Sequence, residues 1–504
     1  MTSMPPKEKG AAKSPVLSKS RFIAGLQCPL RLWTLCHERE KASPPSSFQK
    51  ALFETGKRVG ALARRRYPGG VLINNTGLRH EEAVRETRRV LTRPEVPAVY
   101  EGAFAWDDVR IRADILERCG GKTWNLIEVK SGTSVKDEHL YDVAVQYYVL
   151  IGAGLPVGKA GILCLNSAYV YDGQDLDLET LFRLTDLTEP VREIQDDIRV
   201  QVQALKALVR RRTAPAVDPS RHCRRPYVCE FFDLCRHSMP DHWVVELLGI
   251  RQERMDELAA QGITDIQDVP ESFELSMLQT RIRESVVHNS EYIGPELGPT
   301  LRECEYPIHF LDFETVAPAI PRYEGTHPFQ TLPFQWSDHI LAHDGGLTHR
   351  GYLWETDHDP REDTARTLLE ALGEKGTIWT YTNFESQVIS ALAEHLPRYR
   401  NRLETLPDRC RDLYAVIRRD YYHPAFHGSF SIKNVLPVLV PSMSYTDLSI
   451  QEGGQAGFAY LQMIDPETPG GEREEIRANL WVYCRQDTLA MVKIREELLK
   501  RTSR

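Results

Sequence analysis

Apolar and polar residues alternate along Val109-Arg-Ile-Arg-Ala-Asp114-Ile-Leu-Glu117 and again along Trp124-Asn-Leu-Ile-Glu128-Val-Lys130. A period of two predicts strands with one face against a core. Between them Cys119-Gly-Gly-Lys122 predicts a hairpin turn, and a helix is predicted over Glu138–Leu150. The apolar run Ile308-His-Phe-Leu-Asp-Phe-Glu-Thr315 predicts a buried strand. Leu247, Gly249, Leu258, Gly262 and Ile266 recur at helix-turn-helix spacing before Pro270. From Leu17 to Pro240 helical patterns alternate with strand-like runs, and a second α/β pattern starts at Leu301.

The expected class is therefore α/β and multidomain. With 504 residues the chain is too long for one core. The expected divisions are a disordered tail over 1–17, an α/β domain over 18–240, a helical linker over 241–300 and a second α/β domain over 301–504. Residues are 41% hydrophobic and 27% charged, a globular balance. No run approaches the ~20 apolar residues of a membrane span, and Met1–Ser14 has no apolar core, so a cytoplasmic protein without membrane partners is expected.

Net charge is -8, yet two stretches are basic. Lys57–Arg93 holds ten Lys/Arg against three Glu, and Lys206–Arg236 holds eight against three acids. Such stretches either grip phosphates or form solvated helix faces. Nearby Trp33, Tyr67, Tyr227, Phe231 and Phe232 either stack on unpaired bases or pack in cores. Of ten cysteines, three are evenly spaced at Cys223, Cys229 and Cys235. Clustering in a cytosolic chain points to metal rather than disulfides, and Cys28 is the natural fourth ligand.

Glu128 and Lys130 stand two apart, so both leave one face of a strand, and Asp114 on the neighbouring strand can reach the same point. Two carboxylates and a lysine there suit Mg2+ or Mn2+ with a cation beside it; alone, Glu-x-Lys is equally an exposed strand face. With the helix carrying Gln146 and the four cysteines, the block resembles the RecB-like branch of P-D-(D/E)-x-K nucleases, including the CRISPR-adaptation nucleases. The resemblance implies a restriction-endonuclease-like mixed sheet. It also implies Asp114 and Glu128 as metal ligands, Lys130 and Gln146 as active-site residues, and a [4Fe-4S] cluster on Cys28, Cys223, Cys229 and Cys235. The spacing of the trailing cysteines departs from relatives and keeps Zn2+ as a lesser alternative. The branch's tyrosine is replaced by Leu150, with Tyr147 and Tyr148 nearby, and the stretch directly after Gly56 offers no histidine where many relatives place a further metal ligand.

In Phe310-Leu-Asp312-Phe-Glu314-Thr two carboxylates share one face of a buried strand, which is costly unless they hold a cation. Glu385 stands at a predicted strand-to-helix junction, and Tyr483 and Asp487 are four apart on one helical face. In order and separation these residues resemble the DEDDy exonucleases of the RNase H-like fold, the group of RNase D and the DnaQ-like proofreaders. The resemblance implies that Asp312, Glu314 and Asp487 bind two Mg2+ or Mn2+ and that Tyr483 orients the attacking water. Glu385 stands where the family has aspartate, with Asp412 as a fallback that more naturally begins a helix before Gly428-Ser-Phe-Ser-Ile-Lys433. Ile320-Pro-Arg-Tyr-Glu-Gly-Thr-His-Pro-Phe329 resembles a bacterial family that joins the two modules in this order. Leu247–Pro270 resembles a helix-hairpin-helix, a phosphate-binding element, and is equally readable as a spacer.

Together these readings imply a metal-dependent nuclease with two centres, an exonuclease on single-stranded DNA or DNA ends. Nucleic acid is the expected partner, DNA ahead of RNA, in the setting of a helicase or defence complex. An RNA 3'-end exonuclease, or a binding scaffold with inactive centres, are the alternatives.

Overall fold

The computed structural model describes residues 16–73 and 79–503, so most of the expected tail lies outside the described residues. The chain is α/β and divides into two compact units, Met1–Ser238 and Met239–Arg504. Among the described residues, no helix is long and apolar enough to cross a membrane.

The first unit is built on one seven-stranded sheet. Its strands are β1 (Leu17–Ser18), β2 (Val71–Leu72), β3 (Ala98–Trp106), β4 (Val109–Gly120), β5 (Thr123–Lys130), β6 (Val157–Leu165) and β7 (Phe182–Asp186). The order is β2-β3-β4-β5-β6-β7, with β1 against β4. β3, β4 and β5 form an antiparallel meander, while β5 and β6 run parallel across the helix Asp137–Gly152. The β4–β5 turn needs glycine, because Gly120 and Gly121 have φ of 146° and 52°. Leu116, Trp124 and Leu126 are buried with Val143, Val145 and Val149 of that helix and with Val202 and Leu205 of Gln195–Val209. This core holds β4 and β5 rigid where Asp114, Glu128 and Lys130 stand.

The second unit has β8 (Tyr292–Ile293), β9 (Ile308–Val316), β10 (Leu332–Leu341), β11 (Leu347–Leu353), β12 (Ile378–Thr380), β13 (Cys410–Asp412) and β14 (Tyr421–Tyr422). Five of them form a sheet in the order β11-β10-β9-β12-β13. β10 is antiparallel to β9 and β11, whereas β12 and β13 run parallel to β9. On one face Leu311, Phe313 and Trp336 pack against the helices Arg361–Leu372 and Phe384–His395. The helices Gly453–Met463 and Gly470–Arg501 also lie against β9. Residues 241–300 lie within this second unit. Between Leu247 and Pro270 there is one α-helix, Gln252–Ala260, followed by a 3-10 turn at Ile266–Asp268. Gly249 and Gly262 do mark turns, at φ of 79° and 74°. The next α-helix begins only at Met277, past Pro270, so those bounds enclose no pair of α-helices.

Gly457 sets the approach of its helix to β9: a Cβ there would meet the Thr315 carbonyl at 2.9 Å. A Gly→Ala change in an exposed helix interior stabilises by roughly 1 kcal/mol, and Gly471, in the first turn of Gly470–Arg501 with nothing within 4 Å, should gain part of that. Gly457→Ala should instead destabilise the second unit by about 1–3 kcal/mol through overpacking. Denaturant melts of the two variants would check the opposite signs.

Candidate functional site

Two sites emerge, one in each unit. In the first, Ile115 pairs with Ile127, which sets Asp114 beside Glu128 on adjacent strands. Asp114 Oδ2 accepts from the Val129 amide at 2.8 Å. Glu128 is buried and accepts from Lys130 Nζ at 2.9 Å, Lys19 Nζ at 2.8 Å and Gln146 Nε2 at 2.8 Å. Lys130 also contacts Asp142. All four expected residues therefore converge, with Gln146 fully buried and holding Glu128 from behind.

Charge in this site is divided unequally. Burial, reinforced by Glu128, pushes the Asp114 carboxyl up to about 7. Burial would raise Glu128 too, but Lys19 and Lys130 hold it down at about 2. Both lysines stay charged, since the carboxylates outweigh their own burial. A cavity of about 580 Å3 opens onto these groups, bordered by Gly56, Lys57, Gly60 and Arg64 of the helix Ser47–Arg65 and by Glu101. The first basic stretch thus delivers charge to the cavity rim. Gly56 and Gly60 leave open space beside it.

Sequence reasoning missed Lys19, Glu101 and Asp142. Glu101 interrupts the β3–β4 pairing between Tyr100–Ile115 and Gly102–Ala113, with φ of 56°, opposite Asp114. Asp142 stands one helical turn before Gln146 on a helix already assigned to the site, so helical pitch offered a signal for it; no local pattern signals Lys19 or Glu101.

Cys28, Cys223, Cys229 and Cys235 line one cavity of about 300 Å3, and all ten cysteines of the chain are free of disulfides. Burial pushes the Cys229 thiol up to about 11 and raises Cys223 and Cys235 as well, with Cys28 adding to each. Thiols so placed ionise readily only against a bound cation. Four such sulfurs could hold either a single Zn2+ or an iron–sulfur cluster. Part of the second basic stretch is already committed, since Lys206 is buried on Asp107 at 2.6 Å. Trp33 and Phe231 are buried as packing residues, while Tyr227 is exposed.

In the second unit Asp312 and Glu314 lie across from Ser337 and Gln335 of β10. Carboxylate oxygens of both and Cys484 Sγ lie within 4.8 Å of one another. Tyr483, Cys484 and Asp487 come from the helix Gly470–Arg501, and all three are buried. That helix is registered on β10 by Gln335 Nε2 donating to the Leu480 carbonyl and by hydroxyl contacts from Thr488 to Ser337 and His339. Tyr445 donates to Asp487 Oδ1 at 2.5 Å. Lys433 Nζ lies 5.8 Å and 5.9 Å from the Tyr445 and Tyr483 ring centres. Glu385 is buried in the first turn of Phe384–His395, and its Oε2 has no hydrogen-bond partner. Asp412 caps the helix Leu413–Asp420 by accepting from the Ala415 amide at 2.9 Å.

The expected five residues, Asp312, Glu314, Glu385, Tyr483 and Asp487, thus form one electrostatic cluster. Burial raises Asp312 and Glu314 well above the carboxylate range, and Asp487 raises both further. Burial likewise pushes Asp487 to about 7, against the opposing pull of Tyr445 and Lys433, and Glu385 to about 8. Burial and Asp487 keep the Tyr483 phenol protonated. Tyr445 was missed, since it comes from a loop with no periodic pattern. Lys433 was seen only as part of a phrase.

Residues 309–431, which include Asp312, Glu314 and Glu385, match the family model described as Domain of unknown function (DUF2779). No match is found among curated proteins.

Raised carboxyl pKa values carry a sign. Between the ordinary values near 4 and the folded values of about 7 for Asp487 and about 8 for Glu385, the folded state holds more protons than the unfolded one. These groups therefore make the metal-free second unit lose stability as pH rises through that window. A divalent cation favours the ionised forms, so Mn2+ should raise the melting temperature more at pH 8 than at pH 5.5. Asp312→Asn should raise the metal-free melting temperature at pH 8 and shrink the Mn2+ effect. Differential scanning calorimetry would check both.

Proposed function

We propose that the chain is a metal-dependent nuclease with two centres, acting on single-stranded DNA or DNA ends. The observation that carries the proposal is the gathering of half-buried Asp312 with buried Glu314, Glu385 and Asp487, with Lys433 as the cation offsetting two of them. Such a set is unfavourable as it stands and becomes favourable around divalent cations. A sheet of order β11-β10-β9-β12-β13 with only β10 reversed supports an RNase H-like reading of this unit. Lysine-held Glu128 beside Asp114 supports the P-D-(D/E)-x-K reading of the other.

Asp312, Glu314 and Asp487 would hold Mg2+ or Mn2+ in one centre, and Asp114 and Glu128 in the other. When bound, the ions supply Lewis-acid stabilisation of the scissile phosphate and of the attacking water. The chain's own groups do the rest. Tyr483, protonated and rigidly packed against Tyr445 at 6.2 Å between rings, can donate to and orient a water beside Asp487. Lys433 places a positive charge at the same point. In the first centre Lys130 remains an ammonium held on Glu128 and Asp142, aimed to stabilise charge developing on phosphate. Gln146 keeps Glu128 in register. The helix bearing Lys57 and Arg64 lines the cavity where a phosphate backbone would lie. The cysteine set would hold a [4Fe-4S] cluster that joins the segment at Cys28 to the segment at Cys223–Cys235.

The test is a time course on 5'-labelled single-stranded DNA with Mn2+, using protein purified without oxygen. Lys130→Ala should lower first-centre cleavage by about 10^2–10^3-fold, and Asp312→Ala should reduce second-centre trimming to background. No cleavage by wild type on this DNA or on matching RNA would overturn the proposal. Cleavage of RNA alone would reassign the substrate. For the cysteines, the protein should carry iron and sulfide in equal amounts, about four of each. Cys229→Ser should lose them and lower the melting temperature of the first unit. Zinc without iron would assign the site to Zn2+.

A further inference from the structure

A third group of metal-binding side chains lies within the second unit, apart from the carboxylate cluster. Glu246 ends the 3-10 turn Val244–Glu246, His242 stands four residues before it, and His427 follows the 3-10 turn Pro424–Phe426. One ligand atom from each lies within 4.8 Å of the other two. His427 Nδ1 is 3.3 Å and His242 Nδ1 3.7 Å from Glu246 Oε2. The imidazoles lie nearly parallel, 5.2 Å apart with 21° between planes. The pair at 3.7 Å is too long for a hydrogen bond, so His242 Nδ1 is buried without a partner.

The backbone is shaped for this meeting. His427 adopts the left-handed region at φ 48° and ψ 46°, a conformation unfavourable for a residue other than glycine. Gly428 follows at φ 70°, and a Cβ on it would strike the Glu246 carbonyl at 2.1 Å. Only glycine lets the two segments come this close. The strained turn aims one imidazole at Glu246, and the other arrives with an unsatisfied nitrogen.

We propose that His242, Glu246 and His427 form a separate site for a zinc-class divalent transition metal. Two neutral imidazoles and a carboxylate are the donor set such ions prefer over Mg2+. Bonds of about 2.1 Å in tetrahedral array put ligand atoms about 3.4 Å apart, close to the spacings present. The His427 side chain is 47% exposed, so the fourth position faces solvent and takes water. The ion pins the turn at His427, which runs through Gly428 into the helix Ile432–Leu439 bearing Lys433. It is thus a clamp on the segment that brings Lys433 to Tyr483 and Asp487.

The full chain, stripped of metal, would be titrated with Co2+ in excess Mg2+, which occupies oxygen-only centres. Thiolate charge-transfer absorption separates any ion on the cysteines, and d–d absorption without it reports the His/Glu site. Zn2+ equivalents retained after dialysis give the stoichiometry. Wild type should bind one equivalent more than His427→Asn or Glu246→Gln, with affinity at this site falling more than about 100-fold in each. Asparagine tolerates the left-handed turn, so His427→Asn should keep the fold, and Glu246→Gln decides if it does not. Equal equivalents and identical spectra in wild type and the folded variants would overturn the proposal.

Discussion

Bringing like charges out of water on one face of a strand is the constraint around which the second unit is arranged. β9 must be buried to be a central strand, and its alternation then carries Asp312 and Glu314 inward as surely as Phe310. The Gly470–Arg501 helix adds Asp487, and Phe384–His395 adds Glu385. What surrounds them moderates but does not cancel the repulsion: a phenol on Asp487, an ammonium over two rings, a thiol on Asp312. On the proposed reading the arrangement is one that cations would relieve, and without them the crowded carboxyls cost the fold stability as pH rises.

The first unit handles the same problem with side chains. Lys19 and Lys130 bracket Glu128, so one carboxylate stays ionised while its neighbour Asp114 is held near neutrality. Lys19 stands on both Glu128 oxygens, where a cation belongs. Its helix begins at a Ser18 cap one strand away from Asp114, since β1 pairs with β4. The segment opening the described chain is therefore built into the site.

Closure of each unit relies on contacts between distant parts of the chain. Gln27 donates to the carbonyls of His222 and Tyr227, and Arg31 pairs with Glu230, beside the shared cysteine cavity. In the second unit the Glu246 and His427 segments meet at a glycine. In both, backbone and charge draw the segments together where a metal or cluster would complete the joint.

Periodicity determined the strands of Asp114, Glu128, Asp312 and Glu314, the helix of Tyr483 and Asp487, and which of these residues share a face. Those are local properties: pleat and helical pitch set them within a few residues. Tertiary structure decided which distant groups meet them. Lys19, Glu101 and Tyr445 lie on segments whose own patterns say nothing of a site, and Asp142, one turn before Gln146, joins it only because its helix packs on β5. Lys206 and Trp33 left the basic and aromatic surfaces for buried partners. A single α-helix stands where the sequence read equally as a helix-hairpin-helix or a spacer, because turn signals mark where a helix stops but not whether another follows. The same holds for His242 and His427: they are 185 positions apart, and only packing, which acts through space rather than along the chain, makes them neighbours.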